Sequence, residues 1–391
     1  MSGRVKKILI VGGGIAGLTF AALLRRTGIN IDLIEKAEQW KPVGAGIALG
    51  INAARILGHL GLSERLLKSG QVLNIGRISD ARGRTLSQID FRSLAKKYDV
   101  EPVALHRADL HDALLETIPR SNVNIRLGAT LNNLEDNNDS ATVELSDGIT
   151  ERYDLVVGAD GIDSKVRRLL LGEISVRYSG YICWRFVIEP DFDYDCTVTT
   201  EMWGRGKRFG IVPIGREKIY CFTTLNAAPR APEYETLSLD RFREIYEEFG
   251  SAVPLILRSI RSGEHLIHND LEDVYIEKWH KGCVVLIGDA AHALTPNLGQ
   301  GAAMAIEDAF VLANELKRNA DIVFALRNYA ESRRKRVDAI HSQSYRFGRV
   351  AQYESGIACF LRNLALRAMP DSLILKNIES VLGGAPTDAS E

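Results

Sequence analysis

The segment KKILIVGGGIAGLTFAALLRRTG, at residues 6–28, constrains the fold of this chain more than any other stretch of it. Its apolar run at residues 8–11 is typical of a strand that is buried on both faces. Three glycines then follow in GxGxxG spacing, at Gly12, Gly14 and Gly17. Helical periodicity begins directly after them, so the segment predicts a strand, a glycine-rich turn and a helix.

A second apolar strand, NIDLIEK, completes a βαβ unit and contains Glu35, 18 residues beyond Gly17. In such a unit Gly12 allows a tight turn, Gly14 lets a pyrophosphate approach the backbone, and Gly17 lets the helix pack on the strand. The helix N-terminus attracts phosphate, and the Glu35 carboxylate can accept both hydroxyls of a ribose. We therefore predict a dinucleotide site for an unphosphorylated ribose, as in FAD or NAD and unlike NADP.

Two later segments repeat the pattern of a buried apolar strand that ends near an aspartate. They are LVVGADG, at residues 155–161, and CVVLIGDAAHALTP, at residues 283–296. We predict that both are further parallel strands of the same sheet and end near the same ligand. After the second segment, Gly299, Gln300 and Gly301 begin a helix whose backbone amides would face a flat or anionic ligand.

Between these segments the pattern changes to alternating, aromatic-rich stretches over residues 175–226, which predict an antiparallel sheet. A length of 391 residues suggests about two domains. The net charge of −1 gives no field that would draw nucleic acid or anionic lipid. No apolar run approaches the roughly 18 residues that a membrane span needs, so no integral membrane segment is expected.

Cysteine, histidine and arginine clusters add little chemistry. The five cysteines are scattered and include no CxxC, which argues against disulfides or a zinc site and favours a reducing, cytoplasmic location. His265 and His268 form an HxxH, but on a strand they would point to opposite faces, so no metal is predicted. The most basic run, RRKR at residues 333–336, is interpreted as the solvent face of a helix.

Three motifs, taken in their order and spacing, resemble one enzyme family. GGGIAG, GADGIDSKVR and GDAAHALTPNLGQG resemble the single-component FAD-dependent aromatic hydroxylases, which have the p-hydroxybenzoate hydroxylase fold. The resemblance implies an α/β protein with a Rossmann-like FAD-binding domain, an inserted antiparallel β-sheet substrate domain and C-terminal helices. The expected bounds are 1–75, 101–174 and 270–350 for the FAD-binding domain, 76–100 and 175–269 for the substrate domain, and 351–391 for the C-terminal segment.

The resemblance also implies which residues bind the cofactor. The implied FAD-binding residues are Gly12, Gly14, Gly17, Glu35, Arg107, Asp160, Asp289, Gly299, Gln300 and Gly301. Among them, Asp160 would help to bind both FAD and the nicotinamide donor, and Asp289 would meet the ribityl chain. Arg167 would support the Asp160 motif, and His292 is interpreted as a packing and hydrogen-bonding residue of its turn.

The implied reaction uses NADH or NADPH and O2 beside FAD. The nicotinamide reduces the flavin, which forms a C4a-hydroperoxide with O2 and transfers the distal oxygen to a small aromatic or N-heteroaromatic substrate. The protein must exclude water and increase the electron density of the substrate. The alternatives are an epoxidase, a drug-inactivating monooxygenase, a prenyl reductase and a non-catalytic flavoprotein. Both a monomer and a homodimer stay open.

The predicted substrate sheet supplies the candidate catalytic residues. No histidine occurs between His111 and His265, so a base carried by these strands is not expected to be imidazole. The polar candidates on the strands are Cys183, Arg185, Arg208, Tyr220 and Thr224.

Arg208 and Tyr220 are the predicted catalytic pair. Their spacing of twelve residues is similar to the urate hydroxylase and salicylate hydroxylase-like branch, where an arginine and a tyrosine contact urate in the urate enzymes. Asn297 replaces the acid of that branch, which argues against urate and for a substrate that needs less help with deprotonation or binds in another orientation. The alternatives are an exposed strand-edge arginine and a core tyrosine with a satisfied hydroxyl.

The segment GIACFLRNLALRAMP, at residues 356–370, predicts an amphipathic helix. Its apolar face would carry Ile357, Phe360, Leu361, Leu364 and Ala368, with Arg362 and Arg367 on the opposite side. We expect the apolar face to cover the FAD-binding domain or a dimer partner. The alternative is a helix that lies on a membrane surface, which would suit a lipophilic substrate.

Overall fold

A computed structural model of the chain describes residues 5–40, 45–137, 139–263 and 266–384. The strands are β1 (Lys7–Val11), β2 (Asn30–Glu35), β3 (Gly46–Leu49), β4 (Gln71–Val72), β5 (Ile75–Asp80), β6 (Thr85–Asp90), β7 (Val103–His106), β8 (Val123–Leu127), β9 (Leu131–Asp136), β10 (Ala141–Leu145), β11 (Thr150–Tyr153), β12 (Leu155–Gly158), β13 (Arg177–Ile188), β14 (Val198–Trp203), β15 (Lys207–Pro213), β16 (Ile219–Asn226), β17 (Ile267–Asp273), β18 (His280–Lys281) and β19 (Val284–Leu286).

The α-helices are α1 (Ile15–Leu24), α2 (Ile51–His59), α3 (Ser63–Ser69), α4 (Phe91–Tyr98), α5 (Arg107–Glu116), α6 (Lys165–Leu171), α7 (Pro232–Glu235), α8 (Leu239–Tyr246), α9 (Val253–Ser259), α10 (Asp289–His292), α11 (Gly301–Arg318), α12 (Ile322–Ala351), α13 (Gly356–Ala368) and α14 (Asp371–Leu382). A 3₁₀ turn, Pro296–Leu298, lies between α10 and α11.

The first sheet has six strands in the order β18-β19-β12-β1-β2-β8. β1 pairs in parallel with β2 and β12, and β12 pairs in parallel with β19. The three segments predicted as buried parallel strands are therefore neighbours. Ile8, Leu9 and Ile10 are fully buried, because a parallel sheet of this kind is covered on both faces. The carboxyl ends of β1, β12 and β19 meet at one edge, where a ligand is expected.

The second sheet has seven strands in the order β17-β13-β16-β15-β14-β5-β6. Its neighbours are antiparallel except for β14 and β5, which are parallel. Side chains alternate between its faces. One face, with Trp184, Phe186 and Phe209, packs on Phe242 and Tyr246 of α8 in an apolar core. The opposite face is free to line a site, and it is called the site face below.

The small sheet β3-β7-β4 lies against the site face. A Cβ at Gly46 would lie only 2.4 Å from the Cβ of Tyr220, so β3 can approach β16 only because this position is glycine. The expected α/β class with a parallel cofactor sheet and a second, largely antiparallel sheet is confirmed. The exact domain bounds stay a prediction.

Helix α12 corrects the interpretation of the basic run. Arg333 is only 1% exposed, so the run is not a solvent face throughout. Its guanidinium is buried because it pairs with Glu307 and Asp308 of α11. Charge alone predicted the opposite, since an arginine is almost never fully buried unless it is paired.

Helix α13 corrects a second expectation, because its apolar side faces outward. Ile357, Phe360, Leu361 and Leu364 are 54–75% exposed, whereas Arg362 is 5% exposed. The prediction that this face covers the FAD-binding domain is therefore wrong. A dimer partner or a membrane surface stays a prediction for it.

The physical reason lies in the contacts of Arg362. Its guanidinium donates to the carbonyl oxygens of Ala351 and Gly204, and it lies 5.2 Å from the ring centroid of Trp203. These contacts turn the charged side of α13 toward the protein. Among the helices of the described residues, none is long and apolar enough to cross a membrane.

Candidate active site

The turn between β1 and α1 is built around its glycines. Gly12 has a φ of 108°, and a Cβ there would lie 2.4 Å from the carbonyl oxygen of Ala159, directly after β12. A Cβ at Gly17 would lie 2.0 Å from the Gly12 oxygen. At Gly14, in contrast, no atom lies within 4 Å of the place that a Cβ would take. Gly12 and Gly17 therefore serve the turn itself, whereas Gly14 borders open space.

Glu35 ends β2 beside this turn. Its carboxylate accepts hydrogen bonds from the N–H of Gly13, at 2.9 Å, and of Ala37, at 3.0 Å. Trp40 and His111 flank the same glycine, because a Cβ at Gly13 would lie 2.4 Å from the Trp40 ring and the His111 Nε2 lies 2.9 Å from the Gly13 oxygen. Sequence reasoning missed both aromatic rings. The only signal in the sequence was Gly13, which lies between Gly12 and Gly14 and has no role of its own in the GxGxxG motif.

Asp160 begins the turn after β12. Its carboxylate accepts from the Ser164 hydroxyl at 2.5 Å and from the N–H groups of Lys165 and Val166 at 2.7 and 3.1 Å. These bonds fix the N-terminus of α6, where an acidic group is favourable. The carboxylate thus has a structural task that the sequence did not reveal.

Arg167 connects the two later motifs. Its buried guanidinium donates to the carbonyl oxygen of Ala290, at 3.0 Å, and to that of Ile162. Burial lowers the pKa of Arg167. The arginine therefore holds the turn after β12 against the turn after β19.

The turn after β19 brings a carboxylate to the edge of the sheet. Asp289 begins α10 and is exposed there. Gly288 has a φ of 60° and lies between Ala16 of α1 and Ala305 of α11. The Gly288 N–H donates to the carboxylate of Asp308 at 2.9 Å. The backbone that presents Asp289 is therefore held from behind by a buried acid.

Behind this turn lies a buried network of ionic groups. The Asp308 carboxylate contacts His292 Nε2 at 2.5 Å and accepts from Arg333 Nε at 2.7 Å. The neighbouring Glu307 accepts from Arg333 at 2.5 Å and from Arg336 at 2.7 Å. The charges of His292 and Arg333 hold the pKa of Asp308 at about 2, although burial alone would raise it. The interpretation of His292 as a hydrogen-bonding residue of its turn matches this contact.

The same network reaches the loop before α11. Asn52 of α2 donates to the side-chain oxygen of Gln300 at 3.0 Å and to Glu307 at 2.8 Å. Gln300 is 3% exposed, so its amide serves this bond inside the protein. Sequence reasoning missed Asn52, Glu307 and Arg333, because their pairing depends on how three helices meet.

The glycines that remain without a structural task fit an extended cofactor. At Gly299 and Gly301, as at Gly14, no atom lies within 4 Å of the place that a Cβ would take. The first two belong to the loop after β19, and Gly14 belongs to the turn after β1. The exposed Arg107 begins α5, and its backbone N–H donates to the Ala45 oxygen at 3.0 Å. This open edge, with the carboxylates of Glu35 and Asp289, fits FAD.

The site face gathers the polar candidates of the second sheet. Arg208 pairs with Thr224, which pairs with Cys183 on the next strand, and Arg185 pairs with Phe222. Even spacing along β13 and β16 then places five candidates on the site face. They are Cys183, Arg185, Arg208, Tyr220 and Thr224.

Arg208 is the centre of a hydrogen-bond network and is 1% exposed. Its Nε donates to Thr224 at 3.2 Å and to Gln352 at 3.0 Å, and its two Nη atoms donate to Glu201 at 2.9 Å and to Asn297 at 2.8 Å. The alternative of an exposed strand-edge arginine is wrong. The side chain joins the sheet to the loop before α11.

Asn297 is held firmly in that loop. Its Nδ2 donates to the Tyr181 hydroxyl at 2.8 Å, to Thr295 at 3.0 Å and to the Ser344 carbonyl at 3.0 Å. Its oxygen accepts from Arg208. An amide can both donate and accept in this way, whereas a carboxylate can only accept. The residue is therefore fitted to lock Arg208 rather than to remove a proton.

Tyr220 lies four residues along β16 from Thr224, roughly 13 Å from the Arg208 row at 3.3 Å per residue. Within the described residues its hydroxyl makes no hydrogen bond. The alternative of a core tyrosine with a satisfied hydroxyl therefore does not match the structure. Burial raises the pKa of Tyr220, so the phenol stays protonated and can donate.

Between these rows lies an aromatic platform with a cation beside it. The Phe222 ring lies over Gly210, where a Cβ would be 2.0 Å from the ring. Arg185 shares this row, and one of its Nη atoms donates to Asn269 at 3.1 Å. Its Nε–H is buried without an oxygen or nitrogen acceptor among the described residues, and the Cys183 thiol lies beside the guanidinium. The face thus offers one flat ring, with the Arg185 Nε–H and the Tyr220 hydroxyl as hydrogen-bond donors on either side of it.

Cys183 and the histidine pair add no further reactive group. Burial raises the pKa of the Cys183 thiol, so the nucleophilic thiolate is disfavoured. His265 lies outside the described residues, and His268 lies on β17. In the described part of the chain, no cluster of three or more His, Cys, Asp or Glu could hold a metal ion.

A parallel sheet with a glycine-lined ligand edge, faced by a second sheet with polar and aromatic groups, defines the class of FAD-binding α/β proteins of the p-hydroxybenzoate hydroxylase type. The family described as FAD binding domain matches residues 6–344, and the chain belongs to this family.

Relatives and solved structures define the class more narrowly. The chain is 39% identical over 367 residues to 2-heptyl-3-hydroxy-4(1H)-quinolone synthase of Pseudomonas aeruginosa, across 93% of this chain and 94% of that protein. It is 37% identical over 366 residues to Aurachin C monooxygenase/isomerase of Stigmatella aurantiaca, with the same shares covered. The crystal structure of Klebsiella pneumoniae HpxO with FAD and uric acid is similar at a TM-score of 0.87 and 25% identity, across 97% of each chain.

These findings confirm three predictions. The protein is an FAD-dependent monooxygenase, its cofactor is FAD, and its fold is that of the aromatic hydroxylases. Enzymes of this class typically use NAD(P)H and O2 as co-substrates. The individual site residues stay predictions, and they are taken up in the proposal that follows.

Proposed function

We propose that this monooxygenase hydroxylates a small N-heteroaromatic ring that carries an exocyclic oxygen, of the 4(1H)-quinolone class. The observation that carries the proposal is a pair of donors on either side of the Phe222 platform. The buried Arg185 Nε–H has no oxygen or nitrogen acceptor, and the Tyr220 hydroxyl makes no hydrogen bond, within the described residues. A flat ring stacks on such a platform, and its exocyclic oxygen accepts from such donors. The name of the quinolone synthase among the relatives supports the same class.

The replacement of a catalytic acid by Asn297 fits this substrate. In a 4(1H)-quinolone the ring nitrogen is conjugated through the C2–C3 double bond to the exocyclic oxygen. Carbon 3 is therefore electron-rich without loss of a proton. Such a ring needs no carboxylate base, in agreement with an amide that is locked onto Arg208.

The cofactor residues have separate tasks in this proposal. Gly12 and Gly17 shape the first turn, and Gly14 leaves room for the pyrophosphate. Glu35 would exchange its backbone partners for the ribose hydroxyls, and Asp289 would meet the ribityl chain. Gly299, Gln300 and Gly301 would border the isoalloxazine, while Arg107 and Asp160 would contact the cofactor from the turns that they begin.

When bound, FAD supplies the oxidation, in which NAD(P)H and O2 convert a ring C–H to C–OH with release of NAD(P)⁺ and water. Tyr220 donates its hydrogen bond to the exocyclic oxygen and stays neutral, because burial raises its pKa. Arg185 donates from the side through Nε. Arg208 is a positioning residue, which fixes the distance between the sheet and the Asn297 loop.

The proposed function is tested by anaerobic stopped-flow reduction of the FAD-loaded enzyme with NADH and with NADPH. The ligands are 4(1H)-quinolone, 2-methyl-4(1H)-quinolone, urate and 4-hydroxybenzoate. We expect a quinolone to accelerate reduction at least about tenfold, and the aerobic product to gain one atom from ¹⁸O2. Acceleration by urate or 4-hydroxybenzoate alone, or reduction that is equally fast without a ligand, would contradict the proposal.

Tyr220→Phe is expected to lower kcat/KM for the quinolone by about threefold to tenfold, which corresponds to one lost hydrogen bond. The free energy of unfolding should change by less than about 0.5 kcal/mol, because the hydroxyl makes no hydrogen bond within the described residues. Steady-state kinetics and urea unfolding measure the two effects. The matched control is Tyr194→Phe, whose hydroxyl bonds the Val198 carbonyl at 3.5 Å away from the site face and whose loss should leave kcat/KM unchanged.

A further inference from the structure

A second cavity continues the site face beyond the Phe222 platform. It has a volume of about 200 Å³ and reaches from β16 and β15 across β14, β5 and β6 to helix α14. Its apolar lining residues are Ile78, Ile89, Val212, Phe222, Ile374 and Ile378. Phe222 belongs both to this cavity and to the row of Arg185, so the cavity adjoins the platform along the sheet.

Glu201, a polar residue that lines the cavity, is engaged in hydrogen bonds with the protein. Glu201 lies on β14 between the platform and the cavity, and its Oε1 accepts from Arg208 Nη1 at 2.9 Å and from Trp203 Nε1 at 3.0 Å. Its carboxylate is thus engaged with the protein. Branched aliphatic side chains and one aromatic ring line the cavity together with five further polar residues, Arg77, Ser87, Gln88, Thr199 and Thr200.

Two glycines make room for aromatic and aliphatic side chains where the platform meets the cavity. On β15 the platform row has Gly210 in place of a side chain, and on β5 the neighbouring row has Gly76. The Phe222 ring fills the space above Gly210, and Ile89 and Phe91 fill the space above Gly76, so the platform and the apolar wall of the cavity adjoin along these two rows. A ring that stacks on Phe222 can therefore extend a substituent along the sheet toward Ile374 and Ile378.

We infer that the cavity is a subsite for an unbranched alkyl tail on the substrate ring. The inference rests on the proposed function, because the ring must stack on Phe222 for its tail to enter. An apolar cavity of about 150 Å³ is large enough for benzene, so about 200 Å³ accommodates a tail longer than a propyl group. Ile374 and Ile378 of helix α14 line the cavity, so larger side chains at these positions are expected to reduce the chain length that fits.

The test compares the dissociation constants of a series of ligands with alkyl chains of increasing length, measured by calorimetry on the oxidised, FAD-loaded enzyme. The probes are 4(1H)-quinolones with hydrogen, methyl, propyl, pentyl or heptyl at carbon 2, and phenols with the same substituents in the para position. We expect the dissociation constant to fall about fourfold for each added methylene until the cavity is filled. Dissociation constants that do not depend on chain length in either series would overturn the inference.

Two neighbouring residues of α14 give a matched pair of variants. Ile374→Trp fills the cavity and should abolish the dependence of the dissociation constant on chain length. Leu373→Trp introduces the same ring at a side chain that is 45% exposed and should leave this dependence unchanged. Ile78→Phe fills the cavity from the opposite wall, in case the helix variant does not fold. If the dissociation constant still depends on chain length in folded Ile374→Trp or Ile78→Phe protein, the subsite is rejected.

The two proposals fail in different ways. If the phenols show the chain-length dependence but no quinolone accelerates flavin reduction, the proposed ring class is wrong and the tail subsite stands. If quinolones accelerate reduction but the length of the tail has no effect on binding, the ring class stands and the subsite is rejected.

Discussion

Gly14→Ala is expected to give a folded protein that no longer retains FAD. No protein atom lies within 4 Å of the added methyl group, so the chain itself tolerates it. The methyl group would occupy the space through which a pyrophosphate approaches the backbone. Loss of one or two charge-assisted hydrogen bonds to phosphate weakens binding by about tenfold to several thousandfold.

FAD titration of the apoprotein, followed by quenching of the flavin fluorescence, measures this effect, and urea unfolding of the apoprotein measures stability. Gly263→Ala is the matched control, since it also adds a methyl group in open space but lies far along the chain from the turn. Full retention of FAD by Gly14→Ala would show that the cofactor does not approach this glycine. A large loss of apoprotein stability would show instead that the open space serves the fold.

Asp308→Asn is expected to reduce the free energy of unfolding of the apoprotein by about 3–5 kcal/mol, because it leaves the charge of Arg333 partly unpaired in the interior. The control is Asp338→Asn, which removes a partly exposed partner of Arg334 at 3.9 Å and should cost less than about 1 kcal/mol. Urea unfolding at pH 7 compares both with the parent protein. Equal effects of the two variants would contradict the role of the buried network.

The stability that Asp308 provides should also depend on pH. Its pKa is about 2 in the folded protein, against 3.8 without the protein environment. A carboxyl group with a depressed pKa stabilises the fold above its unfolded pKa, and that stabilisation is lost as the pH falls through the folded value. The difference in stability between the parent and Asp308→Asn should therefore shrink between pH 4 and pH 2. A constant difference over this interval would show that the carboxylate charge is not the cause.

The cofactor sheet could be predicted well from the sequence because its signals are local. The order of strand, glycines and helix in residues 6–28 specifies a backbone geometry that few other residues allow, and Glu35 follows at a fixed distance. Trp40 and His111 could not be predicted, since they meet Gly13 only after distant segments come together. Local constraint, rather than importance for the site, decided what the sequence revealed.

The second sheet shows the limit more clearly. The sequence offered Arg185, Arg208 and Tyr220 as candidates, but a shift of one residue in register would have placed any of them on the other face. The pairing of β13, β15 and β16 puts them together and engages Arg208 with four partners. For α13, the sequence pattern gave the correct helix and the wrong orientation. Arg362 has more to contact inside the protein than the apolar residues do.

Helix α12 has a consequence for the spacing of the two sheets. Arg333 fastens it to the acids behind the cofactor turn, and Gln352, directly after its last residue, accepts a hydrogen bond from Arg208 in the substrate sheet. Arg333 and Gln352 are nineteen positions apart, which corresponds to roughly 28 Å at a rise of 1.5 Å per residue. The length of the helix therefore sets the distance between the cofactor edge and the substrate sheet. Removing one residue from it would turn Gln352 by about 100° and take its side chain away from Arg208.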